Sequence, residues 1–188
     1  MNAFRDDLRA LVSKHIAELP VEQIVTLIDG SSSKSARGVG NAHALAQPYV
    51  KLNALGESQA DDCPEWVAVR DLRTGLEWTR APVGGKKYNW ADAKKAASEV
   101  RLCERSDWRA PTIQELLSLV DYARVDPAID TAYFDCPADW FWSATEAKSP
   151  SGYAWGVYFG NGFSDRYYQD SYGWCRAVRA GQQWALGI

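Results

Sequence analysis

The chain reads as an α+β domain, and three observations predict it: short alternating apolar runs before residue 80, two capped helical stretches between Asn89 and Val120, and a return to loops and short strands towards the end. Strands, then helices, then strands is the order of a fold that segregates its helices from a small, mostly antiparallel sheet.

Tyr49-Val50-Lys51-Leu52 alternates as a strand does and marks the start of the main domain. Trp66–Val69 and Leu76–Arg80 read as two further strands, joined through the turn Arg70–Gly75 into a hairpin. Asn89 can cap a helix over Trp90–Arg101, with Asp92 near its positive end and Trp90, Ala93, Ala97 and Val100 on one face. Thr112 and Glu115 form the two halves of a capping box ahead of the stripe Ile113, Leu116, Leu117 and Val120. Ala123–Pro137 lacks any periodicity and reads as loop.

Residues 1–30 read as two short helices, with one apolar stripe on Phe4, Leu8, Leu11, Val12, Ile16 and Leu19 and another on Val21, Ile24, Val25 and Ile28. Helices this short need a partner to be stable, either the rest of the chain or a second copy in a homo-oligomer. Residues 31–48, which include SSSKSARGVGN, read as a linker, and 49–188 as the main, ligand-binding domain. An assembly subunit working through the N-terminal helices is therefore one functional reading.

A net charge of −3 is too small to draw the protein to nucleic acid or to an anionic membrane surface. Asp6 and Asp7 stand where a signal peptide needs basic and then apolar residues, and no run is long enough to span a bilayer. The expected location is the cytoplasm or the inside of a larger particle. Cys63, Cys103, Cys136 and Cys175 form no CxxC pair, and with only His15 and His43 available a metal or histidine-based catalytic centre has little material. The cysteines are expected as reduced thiols, one disulfide remaining open.

The chemistry concentrates in Trp140–Arg179. Tyr, Trp, Ser, Asp and Gly crowded together are the composition of a binding surface, although aromatic residues also fill cores. Strand alternation over Tyr153–Gly160 puts Trp155, Val157 and Phe159 on a core face and Gly156, Tyr158 and Gly160 on an outer one. Asn161–Gly173 contains no aliphatic residue. The candidate ligand-binding residues are Gly156, Tyr158, Gly160, Asn161, Phe163, Asp165, Arg166, Tyr167, Tyr168, Asp170, Ser171, Tyr172 and Trp174, with Tyr153 a further exposed ring.

The motifs VRDLRTGLEWTR, YNWADAKKA, DWRAPTIQELLSLVDYARVDPAID, FWSATE, YAWGVYF and CRAVR, in this order from Val67 to Arg179, resemble the Lcl C-terminal domain family, also known as DUF1566. The resemblance implies a C-type-lectin-like fold, with two helices flanking a small sheet and the last third presenting loops and strands to a ligand. It implies binding to a protein or glycan rather than catalysis. Members include bacterial surface proteins that adhere to polysaccharides and phage-encoded proteins, and some are the variable proteins of diversity-generating retroelements. In such a fold Asp107, Arg109, Arg176 and Arg179 are expected to hold loops together, and Trp108 and Trp142 to be core.

A calcium-dependent sugar site would need a Glu-Pro-Asn or Gln-Pro-Asp loop, and neither is present, so no cofactor is expected and calcium has no support. The formylglycine-generating enzymes share a related fold but work through two cysteines close in sequence. Cys136 and Cys175 stand isolated, which makes an oxidase the weakest reading.

Overall fold

The computed structural model describes residues 48–181, and the readings for the N-terminal helices and most of the linker lie outside them. The described residues build two antiparallel sheets and two short helices, the α+β architecture expected, with a second sheet where a single one was anticipated.

The first sheet has the order β1-β2-β3-β7, from β1 (Tyr49–Leu52), β2 (Ala68–Asp71), β3 (Leu76–Thr79) and β7 (Val178–Ala180). The hairpin is where the sequence puts it, but β2 begins and ends two residues later than the apolar run Trp66–Val69, because the turn closes over the five residues Asp71–Gly75 with the Gly75 N–H donating to the Asp71 carbonyl, where Gly75 takes φ of 70°. The second sheet has the order β4-β5-β6, from β4 (Trp140–Glu146), β5 (Tyr153–Tyr158) and β6 (Phe163–Tyr168). The pairing of β4 with β5 is irregular between Trp142 and Glu146.

Both helices start where their caps dictate. The Asn89 side chain accepts a hydrogen bond from the Asp92 N–H at 2.9 Å and opens α1 (Trp90–Ser98), which ends three residues before the expected Arg101. Thr112 and Glu115 complete the capping box of α2 (Ile113–Leu117). Leu119, one residue off the expected stripe, is buried in place of Leu117 and Val120, which are half-buried.

The chain leaves the first sheet after β3, forms the helices and the second sheet, and returns as β7 with Val178 opposite Trp78. The returning segment is stitched on both sides: Gly173 exchanges backbone hydrogen bonds with Tyr88, and Trp174 with Trp140 and Trp142. Apolar side chains gather in two clusters. One centres on Trp78, Leu116, Phe134, Phe141 and Val157, and the other on Trp90, Ala93, Trp108, Trp142 and Cys175.

The arginines act as the fold's internal ties. Arg176 is fully buried and donates to the carbonyls of Thr79, Arg80 and Asp135, with its guanidinium 5.1 Å from the Phe134 ring. Arg179 and Arg70 both bind the buried Glu77, and Arg179 also holds Asp107 at 2.8 Å. Arg109 forks onto Glu115. Arg70 and Glu77 were not anticipated, since each looks like an ordinary hairpin charge until β7 brings Arg179 opposite Glu77.

Candidate functional site

The second sheet carries the aromatic stretch, and register decides what each residue can do. Trp142 pairs with Gly156 and Trp140 with Tyr158, while Gly156 pairs in turn with Asp165, Ala154 with Tyr167 and Tyr158 with Phe163. Residues paired across strands share a face. One face therefore carries Trp140, Trp142, Gly156, Tyr158, Phe163, Asp165 and Tyr167. The other carries Phe141, Tyr153, Trp155, Val157, Arg166 and Tyr168.

Tyr167 and Tyr168, adjacent in sequence, thus serve opposite faces. Tyr167 lies 4.0 Å from the Trp140 ring and 6.3 Å from Trp142, whereas Tyr168 pairs with Tyr153 at 4.2 Å between ring centres. Burial, with some help from the Asp165 charge, pushes the Tyr167 phenol up to about 12, so it remains a neutral donor.

Phe163, Tyr168 and Tyr172 are 57%, 63% and 69% exposed, the largest rings of the segment left in water. Asn161, Arg166 and Asp170 are exposed too, and Tyr153, Tyr158, Asp165, Tyr167 and Ser171 are half-buried. Gly162, with φ of 80°, turns the chain from β5 into β6, and Asn161 accepts from the Phe163 N–H to fix that turn.

Three members of the expected surface point elsewhere. Gly156 and Gly160 are buried, not outward. A Cβ on Gly156 would stand 2.8 Å from the Phe141 carbonyl oxygen, and one on Gly160 would meet the Tyr158 ring at 2.3 Å. Their smallness lets neighbouring backbone and ring approach closely. Trp174 is half-buried against the core, donates from its indole to Asp139 at 3.2 Å and belongs to the returning segment rather than to the surface. On the expected core face Val157 and Phe159 are fully buried, while Trp155 is only half-buried, lying 5.6 Å from the Arg166 guanidinium.

Sequence reasoning missed a cleft on the Trp142 face. Gly156 and the Phe141 backbone form its floor, Trp140, Trp142 and Tyr167 its walls, and Ser171 and Tyr172 part of its rim, enclosing about 40 Å³. The spacing of Trp140 and Trp142 was its signal, because residues two apart on a strand share a face. A larger hollow of about 450 Å³ lies against the first sheet, lined by Arg70, Glu77 and Arg179 among others, but these charges are already spent on one another.

The remaining reactive groups are held in structural roles. All four cysteines are free, and burial raises the Cys136 and Cys175 thiols, the latter to about 12. The Cys175 thiol donates to the Ala93 carbonyl at 3.4 Å. Among the described residues no three His, Cys, Asp or Glu side chains converge as a metal site would require, and no helix is long and apolar enough to cross a membrane.

The α+β scaffold is tied internally by arginines and leaves the rings of Phe163, Tyr168 and Tyr172 in water. The chain belongs to the Lcl C-terminal domain family, whose model matches residues 67–179, more than half of its length. Domains of this family are non-catalytic, and the protein is accordingly a non-enzymatic one. No curated protein matches the chain.

Proposed function

We propose that the protein is a ligand-binding or display protein whose C-terminal segment, from Tyr158 to Tyr172, recognises a protein or glycan. The observation that carries this reading is the exposure of Phe163, Tyr168 and Tyr172 within one aliphatic-free segment. Rings of this size left in water on a well-packed scaffold are the usual anchors of an interface. Asn161, Asp165, Arg166, Asp170 and Ser171 supply polar groups around them, and Gly156, Gly160 and Trp174 hold the platform in place.

The division also suits a surface open to sequence change, because the outward residues of β6 can be replaced without disturbing the buried ones beneath. On this reading the protein, of phage or bacterial origin, is the variable protein of a diversity-generating retroelement. A reverse-transcriptase gene beside a near-copy of the codons for this segment, differing at adenines, would support that part, and a neighbourhood lacking both would remove it. The domain division carries over into the same proposal, with residues 49–188 as the binding unit and 1–30 as the handle for self-association.

Recognition itself is tested by finding a ligand on a glycan array or a panel of surface proteins, then replacing Phe163, Tyr168 and Tyr172 together by Ala. Loss of at least about tenfold in affinity is expected for removal of anchor rings. Unchanged affinity for the same ligand would overturn the assignment.

A further inference from the structure

We propose that the cleft between Trp140, Trp142 and Tyr167 takes a methylated ammonium group, an inference that rests on reading this segment as a recognition surface and names the chemistry one part of it selects. Three features lead there: size, lining and charge.

The cleft's volume of about 40 Å³ leaves room for roughly one or two water-sized groups. A sugar ring or an indole stays outside it, while one or two methyl groups of a methylated head can seat in it. Its floor is kept open by Gly156, where any Cβ would crowd the Phe141 carbonyl at 2.8 Å and fill the space beside the Trp140 ring.

Aromatic side chains dominate the lining. The Trp142 indole N–H is already committed to the Tyr88 carbonyl at 2.9 Å, so that ring offers the cleft its carbon surface rather than its donor. A primary ammonium would bring three N–H donors into a place with few acceptors, which is costly. A methylated ammonium has fewer donors or none, and the faces of Trp and Tyr attract its spread positive charge.

The charges around the cleft favour a cation. Asp165 lies opposite Gly156 in the sheet, on the same face as the cleft's walls, and close enough to Tyr167 for its charge to act on the phenol. Asp170 directly precedes Ser171 on the rim and is exposed. Neither carboxylate forms an ion pair among the described residues. Arg166 and Lys87 are engaged elsewhere: Arg166 lies on the opposite face and donates to the Ser149 carbonyl, and Lys87 is held by Asp139 at 2.6 Å.

The test is an NMR titration of the full-length ¹⁵N-labelled protein, following the tryptophan indole N–H signals, with tetramethylammonium, choline and the neutral isostere 3,3-dimethyl-1-butanol as probes. Both cations are expected to shift the Trp140 and Trp142 signals saturably, with the alcohol at least about fivefold weaker. Asp165→Asn, at a half-buried position outside the core, should lose a similar factor while leaving the spectrum dispersed. Tyr167→Ala should abolish the response.

Equal binding of choline and the alcohol would overturn the ammonium assignment and leave a plain apolar pocket. No response to any probe would overturn the cleft as a site. Neither result touches the recognition surface, which is judged separately by the ligand affinity of a Phe163→Ala/Tyr168→Ala variant: both rings are exposed and lie outside the cleft lining, so loss of ligand with choline binding retained would separate the two sites.

Discussion

Residues 163–172 and 174–180 are neighbours in sequence and opposites in environment. The first stretch leaves Phe163, Tyr168 and Tyr172 in water, whereas the second is buried from Cys175 to Arg179 and turns even its arginines inward. Both are rich in large side chains. What separates them is whether the hydrogen-bonding groups have partners inside the fold: Arg176 satisfies three carbonyls from β3 and the loops, and Arg179 joins Glu77 to Asp107. Aromatic rings are thus left in water where the fold is secured by other residues, and drawn inward where their own segment supplies the ties.

The strongest attempt to break this contrast is Arg176→Met. The substitution fills much of the volume but strands buried carbonyls, at about 1–3 kcal/mol for each group left unsatisfied. A loss of at least about 3 kcal/mol in urea unfolding is expected. A loss below 1 kcal/mol would mean that the returning segment is not secured by this residue.

Gly156→Val tests the floor between the two regions. A branched side chain pressed against the Phe141 carbonyl must displace β4 or β5, and overpacking of this kind costs about 1–3 kcal/mol. Urea unfolding measures the cost, and the indole signals of Trp140 and Trp142 should move with it. If stability and signals both stay as they are, Gly156 is as free as alternation alone suggested.

Acid should loosen the secured region first. The Arg179 hydrogen bond holds the Asp107 carboxyl below its usual range, and Arg109 does the same for Glu115. At Asp139 burial works in the opposite direction, but Lys87, the Trp140 N–H and the Trp174 indole outweigh it and the net shift is downward. A depressed folded value means that the stabilisation is in place above the unfolded carboxylate pKa of about 4 and is lost as pH falls through the lower folded values. Thermal melting should be level near neutrality and fall below about pH 4. Asp107→Asn and Glu115→Gln should flatten that fall, and a fall of unchanged steepness in both would remove these pairs from the account.

Much of this fold is legible in sequence because its determinants are local. The capping box at Thr112 and Glu115 and the Asn89 cap each involve residues three apart, and the hairpin announces itself through Thr74-Gly75. The site was legible only in part. Alternation correctly buried Val157 and Phe159, but a period of two cannot reveal that Gly156 is closed in by the Phe141 carbonyl of the paired strand β4. The cleft required the same cross-strand register, and Trp174 could not be assigned inward before its backbone pairing with Trp140 and Trp142, more than thirty residues away, was known.

The division between surface and scaffold can be measured without any ligand. In equilibrium urea unfolding, the triple replacement of Phe163, Tyr168 and Tyr172 by Ser should cost less than about 2 kcal/mol, mostly from the lost Tyr153–Tyr168 contact. A loss as large as that of Arg176→Met would show that these rings hold the fold together, and would contradict their assignment as the recognition surface.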